Sequence, residues 1–212
     1  ALKMGLEIEE NLGANPFKFG LVGSTDSHAG LPATREDNWW GKAPFLEPSP
    51  NRWKDVLIRS SLDPALDLTA LQLAASGLAG VWATDNTREA IWDAMARREV
   101  FGTTGTRLQI RVFGGYGFGS DDLSQTDLAT KGSASGVPMG SDLTDAPEGA
   151  SPGFLVEAMR DPLGANLDRI QIVKGWLDEN GAAQEEVHNV VWSNADVRAL
   201  DAQGNLTSVG ST

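Results

Sequence analysis

Apolar residues recur at spacings of four at the start of the chain, Leu2 with Leu6 and Met4 with Ile8 and Leu12, which predicts a helix closed by Gly13 as its C-cap. No capping residue, initiator Met or signal-peptide pattern stands ahead of it, so the chain reads as a fragment cut in mid-helix from a longer protein. Asn15-Pro16 breaks the backbone, and the apolar, β-prone run Phe17 to Ser24 predicts a buried strand with a polar turn, Thr25 to His28, at its carboxyl end. A Pro- and Trp-rich stretch, Leu31 to Asn51, predicts an ordered surface loop, and Arg52 to Ser61 fits a short helix or a strand.

The clearest helical pattern is Asn86 to Glu99. Asn86 and Glu89 have capping-box spacing, Ala90, Ile91, Ala94 and Met95 share a face, and Arg97 and Arg98 suit the C-terminal end of the dipole. Strands follow at Val100 to Thr104 and Arg107 to Phe113, the second alternating Leu108, Ile110 and Val112. Gly114 to Gly149 is rich in Gly, Ser, Asp and Thr and reads mostly as loop. Strand patterns return at Phe154 to Met159, Leu167 to Leu177 and Glu186 to Trp192, with Asn180-Gly181 as a hairpin turn between the last two. Three segments result: residues 1–113, of α/β character, a loop-rich connection over 114–150, and a β-rich, sandwich-like region over 151–212.

Composition narrows the function. The 212 residues are 41% hydrophobic, enough for a core, and Lys+Arg 17 against Asp+Glu 29 gives a net charge of −12, which repels nucleic-acid backbones and anionic membranes. The longest mostly apolar run, Leu68 to Ala83, is interrupted and too short to span a bilayer. The absence of cysteine excludes disulfides, thiolate metal sites and a cysteine nucleophile, and a cysteine-free acidic chain is compatible with the bacterial periplasm.

Two histidines occur, and one lies in Gly23-Ser-Thr-Asp-Ser-His-Ala-Gly30. Asp-x-His alone is a weak signal, more often the mark of a hydrogen-bonded structural pair than of a ligand pair. Its placement after a predicted buried strand is where α/β folds keep their sites, and carboxylate and imidazole are ligands for Zn, Mn or Fe.

Gly-Ser-Thr-Asp-Ser-His resembles the last metal motif, Gly-Ser-Asp-x-His, of the polymerase-and-histidinol-phosphatase (PHP) superfamily. The blocks Phe17 to Leu31 and Gly77 to Leu108 are similar to the domain-of-unknown-function 3604 family, a bacterial branch related to that superfamily. The resemblance implies the C-terminal part of a distorted (β/α) barrel followed by the β-rich region, with Asp26 and His28 as metal ligands. It implies hydrolysis of a phosphate, sulfate or carbamate ester, a small-molecule substrate, by metal-activated water. Thr25 is inserted relative to the common motif, and the early His-x-His ligands of the superfamily have no counterpart in this chain. The remaining ligands are therefore expected upstream of Ala1, and the chain by itself is expected to be inactive.

Arg107, after a glycine turn, and Arg35, seven residues beyond His28, are substrate-binding candidates because a guanidinium clamps an anionic ester in two-pronged fashion, although a surface ion pair is the commoner role for such arginines. Trp39-Trp40 fits a cleft wall or a packing plug for its loop. Gly114 to Gly119 misses the dinucleotide-binding spacing, Asp121-Asp122 lacks the oxygen-ligand spacing of a calcium loop, and adjacent Asp26, Ser27 and His28 cannot align as a serine triad. The competing reading is a non-catalytic binding or accessory domain in which the Asp-Ser-His turn is structural.

Overall fold

The computed structural model describes residues 1–30, 39–74, 77–124 and 127–207. In chain order the elements are α1 (Leu2–Leu12), β1 (Val56–Ile58), β2 (Leu68–Thr69), β3 (Leu78–Val81), α2 (Arg88–Ala96), β4 (Val100–Thr103), β5 (Gln109–Gly115), α3 (Leu128–Ser135), β6 (Val137–Pro138), β7 (Gly153–Met159), β8 (Arg169–Leu177) and β9 (Ala183–Trp192). Short 3-10 turns occur at Pro44–Leu46, Pro64–Leu66 and Ser120–Ser124. The result is a mixed α/β chain with few helices and small antiparallel sheets, β1-β2, β3-β4, β6-β5-β7 and β8-β9. Among the described residues no sheet closes into a barrel, and no helix is long and apolar enough to cross a membrane.

Contacts divide the chain into two units, Ala1–Phe19 with Arg160–Thr212, and Gly20–Met159. In the first, α1 ends where the sequence predicts: Gly13 is left-handed at φ 72° and its N–H bonds the carbonyl of Glu9. The helix lies against the β8-β9 hairpin, where Glu7 accepts the Ala183 N–H at 3.1 Å and Lys3 pairs with Glu185 at 3.4 Å. The hairpin turn also matches expectation. Gly181 is left-handed, and the Asp178 carboxylate accepts the N–H groups of Asn180 and Ala182. The side chain of Arg198, 5% exposed, ties the end of this unit together by bonding both carboxylate oxygens of Asp168 and the carbonyl of Thr207.

In the second unit the core forms where β5 and β7 pair in register, Phe113 opposite Leu155, both nearly inaccessible. Helix α3 packs so closely on Phe113 that a Cβ at Gly132 would fall 2.3 Å from the ring. The sequence pattern does not predict this helix within the stretch Gly114 to Gly149, which reads mostly as loop. Its eight residues, Leu-Ala-Thr-Lys-Gly-Ser-Ala-Ser, are too few to hold a helix alone, with Gly, Thr and Ser offsetting the better formers, and it is held by its contact with Phe113 and by Asp127, whose carboxylate caps the Thr130 N–H at 2.9 Å. A second buried group, Ala94 and Val100, sits where α2 returns to β4. The cap of α2 is Thr87, accepting from Ala90 N–H at 3.2 Å, one residue beyond the expected Asn86. Arg52 to Ser61 resolves to the short strand β1.

The expected strand Phe17 to Ser24 is not one. The segment makes no sheet ladder, and Phe19, Leu21 and Val22 are about half exposed. Its tail instead crosses the backbone of the β3-β4 pair, with the Gly23 N–H bonded to Leu78 O at 3.1 Å. A Cβ at Gly23 would lie 2.3 Å from the Thr103 carbonyl oxygen, so only glycine permits the crossing. Every strand pair among the described residues is antiparallel.

Candidate metal centre

Beyond the glycine crossing the chain turns through Thr25 to His28. Asp26 is left-handed at φ 54°, a conformation Asp tolerates better than most residues, and the turn folds its side chain back toward His28. His28 Nε2 lies 3.3 Å from Asp26 Oδ1. Both side chains are about two-thirds exposed, at 65% and 67%.

The segment Gly41–Ala43 is buried and runs beside this turn. His28 N–H donates to the Lys42 carbonyl at 2.8 Å, and the Ser27 hydroxyl donates to the Gly41 carbonyl at 3.1 Å. The Lys42 ammonium, its residue 6% exposed, donates to Asp26 Oδ2 at 2.5 Å and also to the Asp26 backbone carbonyl. The Asp26 carboxyl is held below the usual aspartate range, first by the hydrogen bond from Lys42, then by that from His28, with the charge of Lys42 adding to them. Lys42 thus occupies one carboxylate oxygen and leaves the other facing His28.

Sequence reasoning missed Lys42. The signal present in Asn38-Trp-Trp-Gly-Lys42 was a single cation in an apolar stretch, and nothing in spacing ties it to a turn sixteen residues earlier.

A 3.3 Å separation suits two ligands of one cation: with bonds of about 2.0–2.1 Å the atoms would subtend roughly 105°, close to the tetrahedral angle. Two ligands are short of a centre, and among the described residues no group of three or more His, Cys, Asp or Glu gathers around a point. The second histidine, His188, lies on β9 beside Glu186, at 3.6 Å.

Residues 1–212 match the profile of the family described as Protein of unknown function (DUF3604). The chain belongs to the DUF3604 family. No curated protein and no solved structure matches it.

The other expected contacts of this DUF3604 chain are placed as follows. Arg107 is exposed in the irregular connection between β4 and β5, and Arg35 lies outside the described residues. Trp40 is half exposed with the Arg52 guanidinium 5.8 Å from its ring centre, and Trp39 is partly buried beside it. That contact gives Trp40 a packing role, since a guanidinium over an indole face is attractive.

Proposed function

We propose that this DUF3604 chain supplies an Asp-His ligand pair, Asp26 Oδ1 and His28 Nε2, to a divalent-cation centre that hydrolyses ester-type bonds of small molecules, with Zn, Mn or Fe as the cation. The observation that carries this reading is the convergence of those two atoms at 3.3 Å while Lys42 holds the other carboxylate oxygen. The kinship to PHP-like barrels belongs to the same proposal and rests on the Gly-Ser-Thr-Asp-Ser-His motif. Further ligands must come from outside the described residues. When bound, the cation would activate water and offset charge on the leaving oxygen. Lys42 orients the carboxylate and favours its ionised form, and the His28 N–H to Lys42 carbonyl bond fixes the backbone that carries the imidazole. Arg35 and Arg107 are the proposed contacts to the anionic part of the ester.

A second reading draws on the same contacts. The Lys42 clasp on Asp26, with the Ser27 and His28 bonds to Gly41 and Lys42, is a closed set that holds a turn without any ligand. On that reading the turn is structural and the chain is a non-catalytic binding or accessory domain.

Calorimetric titration of the chain with Zn2+ and Mn2+ separates the two. The metal reading expects binding that weakens by at least about tenfold in Asp26→Asn and in His28→Asn. Equal affinity in the wild type and the double variant overturns it. For the protein containing all ligands, metal content after chelator-free purification and turnover of p-nitrophenyl phosphate and p-nitrophenyl sulfate extend the test to the reaction.

A further inference from the structure

One face of the β6-β5-β7 sheet carries Gln109, Arg111 and Phe113 on β5 opposite Met159, Glu157 and Leu155 on β7. The rung Phe113–Leu155 is buried, with Gly132 of α3 against the ring. The other two rungs open into a cleft of about 250 Å3, walled by Trp82 and by Leu128 at the start of α3. The Trp82 ring is fixed in this wall, because its indole N–H donates to the Ile110 carbonyl at 2.9 Å.

Three polar side chains reach this cleft without a hydrogen-bond partner among the described residues. The Arg111 guanidinium stands 4.7 Å from the Trp82 ring centre and 5.2 Å from that of Phe113, yet it makes no hydrogen bond or ion pair to any described residue. The side chains of Gln109 and Glu157 also lack partners among the described residues. Asp127, the remaining charge, accepts the hydroxyl and N–H of Thr130, and it attracts Arg111 through space without a direct hydrogen bond or ion pair to it. Stacking on two rings restricts the guanidinium and leaves its planar fork of donors available, which is how arginine takes a carboxylate. Glu157, directly across the strand pair, is an acceptor that disfavours a plain anion and favours a molecule bearing its own donors.

We propose that this cleft binds a small carboxylic acid carrying amino or hydroxyl groups. The carboxylate meets Arg111, the amino or hydroxyl donors meet Glu157 and Gln109, and the carbon skeleton lies against Trp82, Leu128 and Met159. The volume suits a compact molecule, since sites for drug-sized ligands begin at about 300 Å3. None of these residues takes part in the Asp26–His28 arrangement, so the inference is independent of the metal reading.

The test is calorimetric titration of the chain with L-leucine as the amino probe, D-glucuronate as the hydroxyl probe and acetate as the donor-free control. One of the first two is expected to bind, with acetate weaker by about tenfold or more. Binding of L-leucine alone identifies an amino-acid site, and binding of D-glucuronate alone a sugar-acid site. Arg111→Met is expected to weaken the bound probe by about tenfold or more, and Glu157→Gln to weaken it without weakening acetate. Because Glu157 is exposed, its variant remains informative if Arg111→Met does not fold. Failure of both probes, acetate binding as tightly as either, or unchanged affinity in the folded variants overturns the proposal.

Discussion

The ammonium of Lys42 lies 2.5 Å from Asp26 Oδ2, and the other oxygen of the same carboxylate lies 3.3 Å from His28 Nε2. A buried cation therefore fixes an exposed acid, and one side chain is divided between a structural bond and an open one. Lys42→Met is expected to bring the Asp26 carboxyl up toward the ordinary aspartate range, which 13C titration of the carboxyl carbon would record. The sign for stability follows from the depressed folded value. The pair stabilises the fold above the ordinary aspartate range and ceases to do so as pH falls through the lowered one. Urea unfolding should thus separate wild type from Asp26→Asn most at neutral pH and bring them together in acid; a gap of constant size across that range would sink the assignment.

Two neighbouring residues compete for the start of α2. The Thr87 hydroxyl accepts the Ala90 N–H, whereas Asn86 donates its own N–H to Asp85. Thr87→Ala is expected to cost about 1 kcal/mol and Asn86→Ala much less. Denaturation midpoints of the two variants decide it, and the opposite ranking would return the cap to Asn86.

Gly132→Ala sets a propensity gain against a clash. Alanine improves an average helix position over glycine by about 1 kcal/mol, but here the methyl would stand 2.3 Å from Phe113, a ring only 2% exposed that has no room to retreat. Overpacking of this kind costs about 1–3 kcal/mol, so the expected net change is destabilising. A variant as stable as wild type in guanidinium would show that α3 does not bear on Phe113 as described.

Arg198 bonds both Asp168 oxygens, at 2.5 and 3.2 Å, and the Thr207 carbonyl at 2.7 Å. The Asp168 carboxyl is held below its ordinary range, first by the hydrogen bonding of Arg198 and then by its charge, with Arg169 adding to it. Arg198→Met should speed amide exchange around Ala199 and Thr207 and lower stability at neutral pH, with the difference fading in acid as Asp168 protonates. Arg198→Lys should recover only part of the loss, because an ammonium cannot reproduce the two-pronged contact.

The candidate site is partly legible in the sequence. Asp26 and His28 stand two apart in a glycine-bounded turn, and residues so close in sequence meet through local geometry alone. Lys42 was not legible, because its approach depends on where the Gly41–Ala43 segment is buried, and no local pattern encodes that. Phe17 to Ser24 failed for a related reason. An apolar β-prone run states a need for burial without naming its partner, and the segment crosses β3-β4 at Gly23 instead of joining a ladder.

What the sequence determined by itself was local: the extent of α1 up to Gly13, the Asp178–Gly181 hairpin turn, the strands that became β4, β5, β7, β8 and β9, and the Asp-x-His turn. These depend on backbone preference, short-range periodicity and neighbouring side chains, which act over a few residues. Tertiary structure alone decided α3, the antiparallel pairing of β5 with β7, and the Lys42 clasp on Asp26. Each of those rests on contacts between groups far apart in sequence, and their free energy exists only once the chain has brought those groups together.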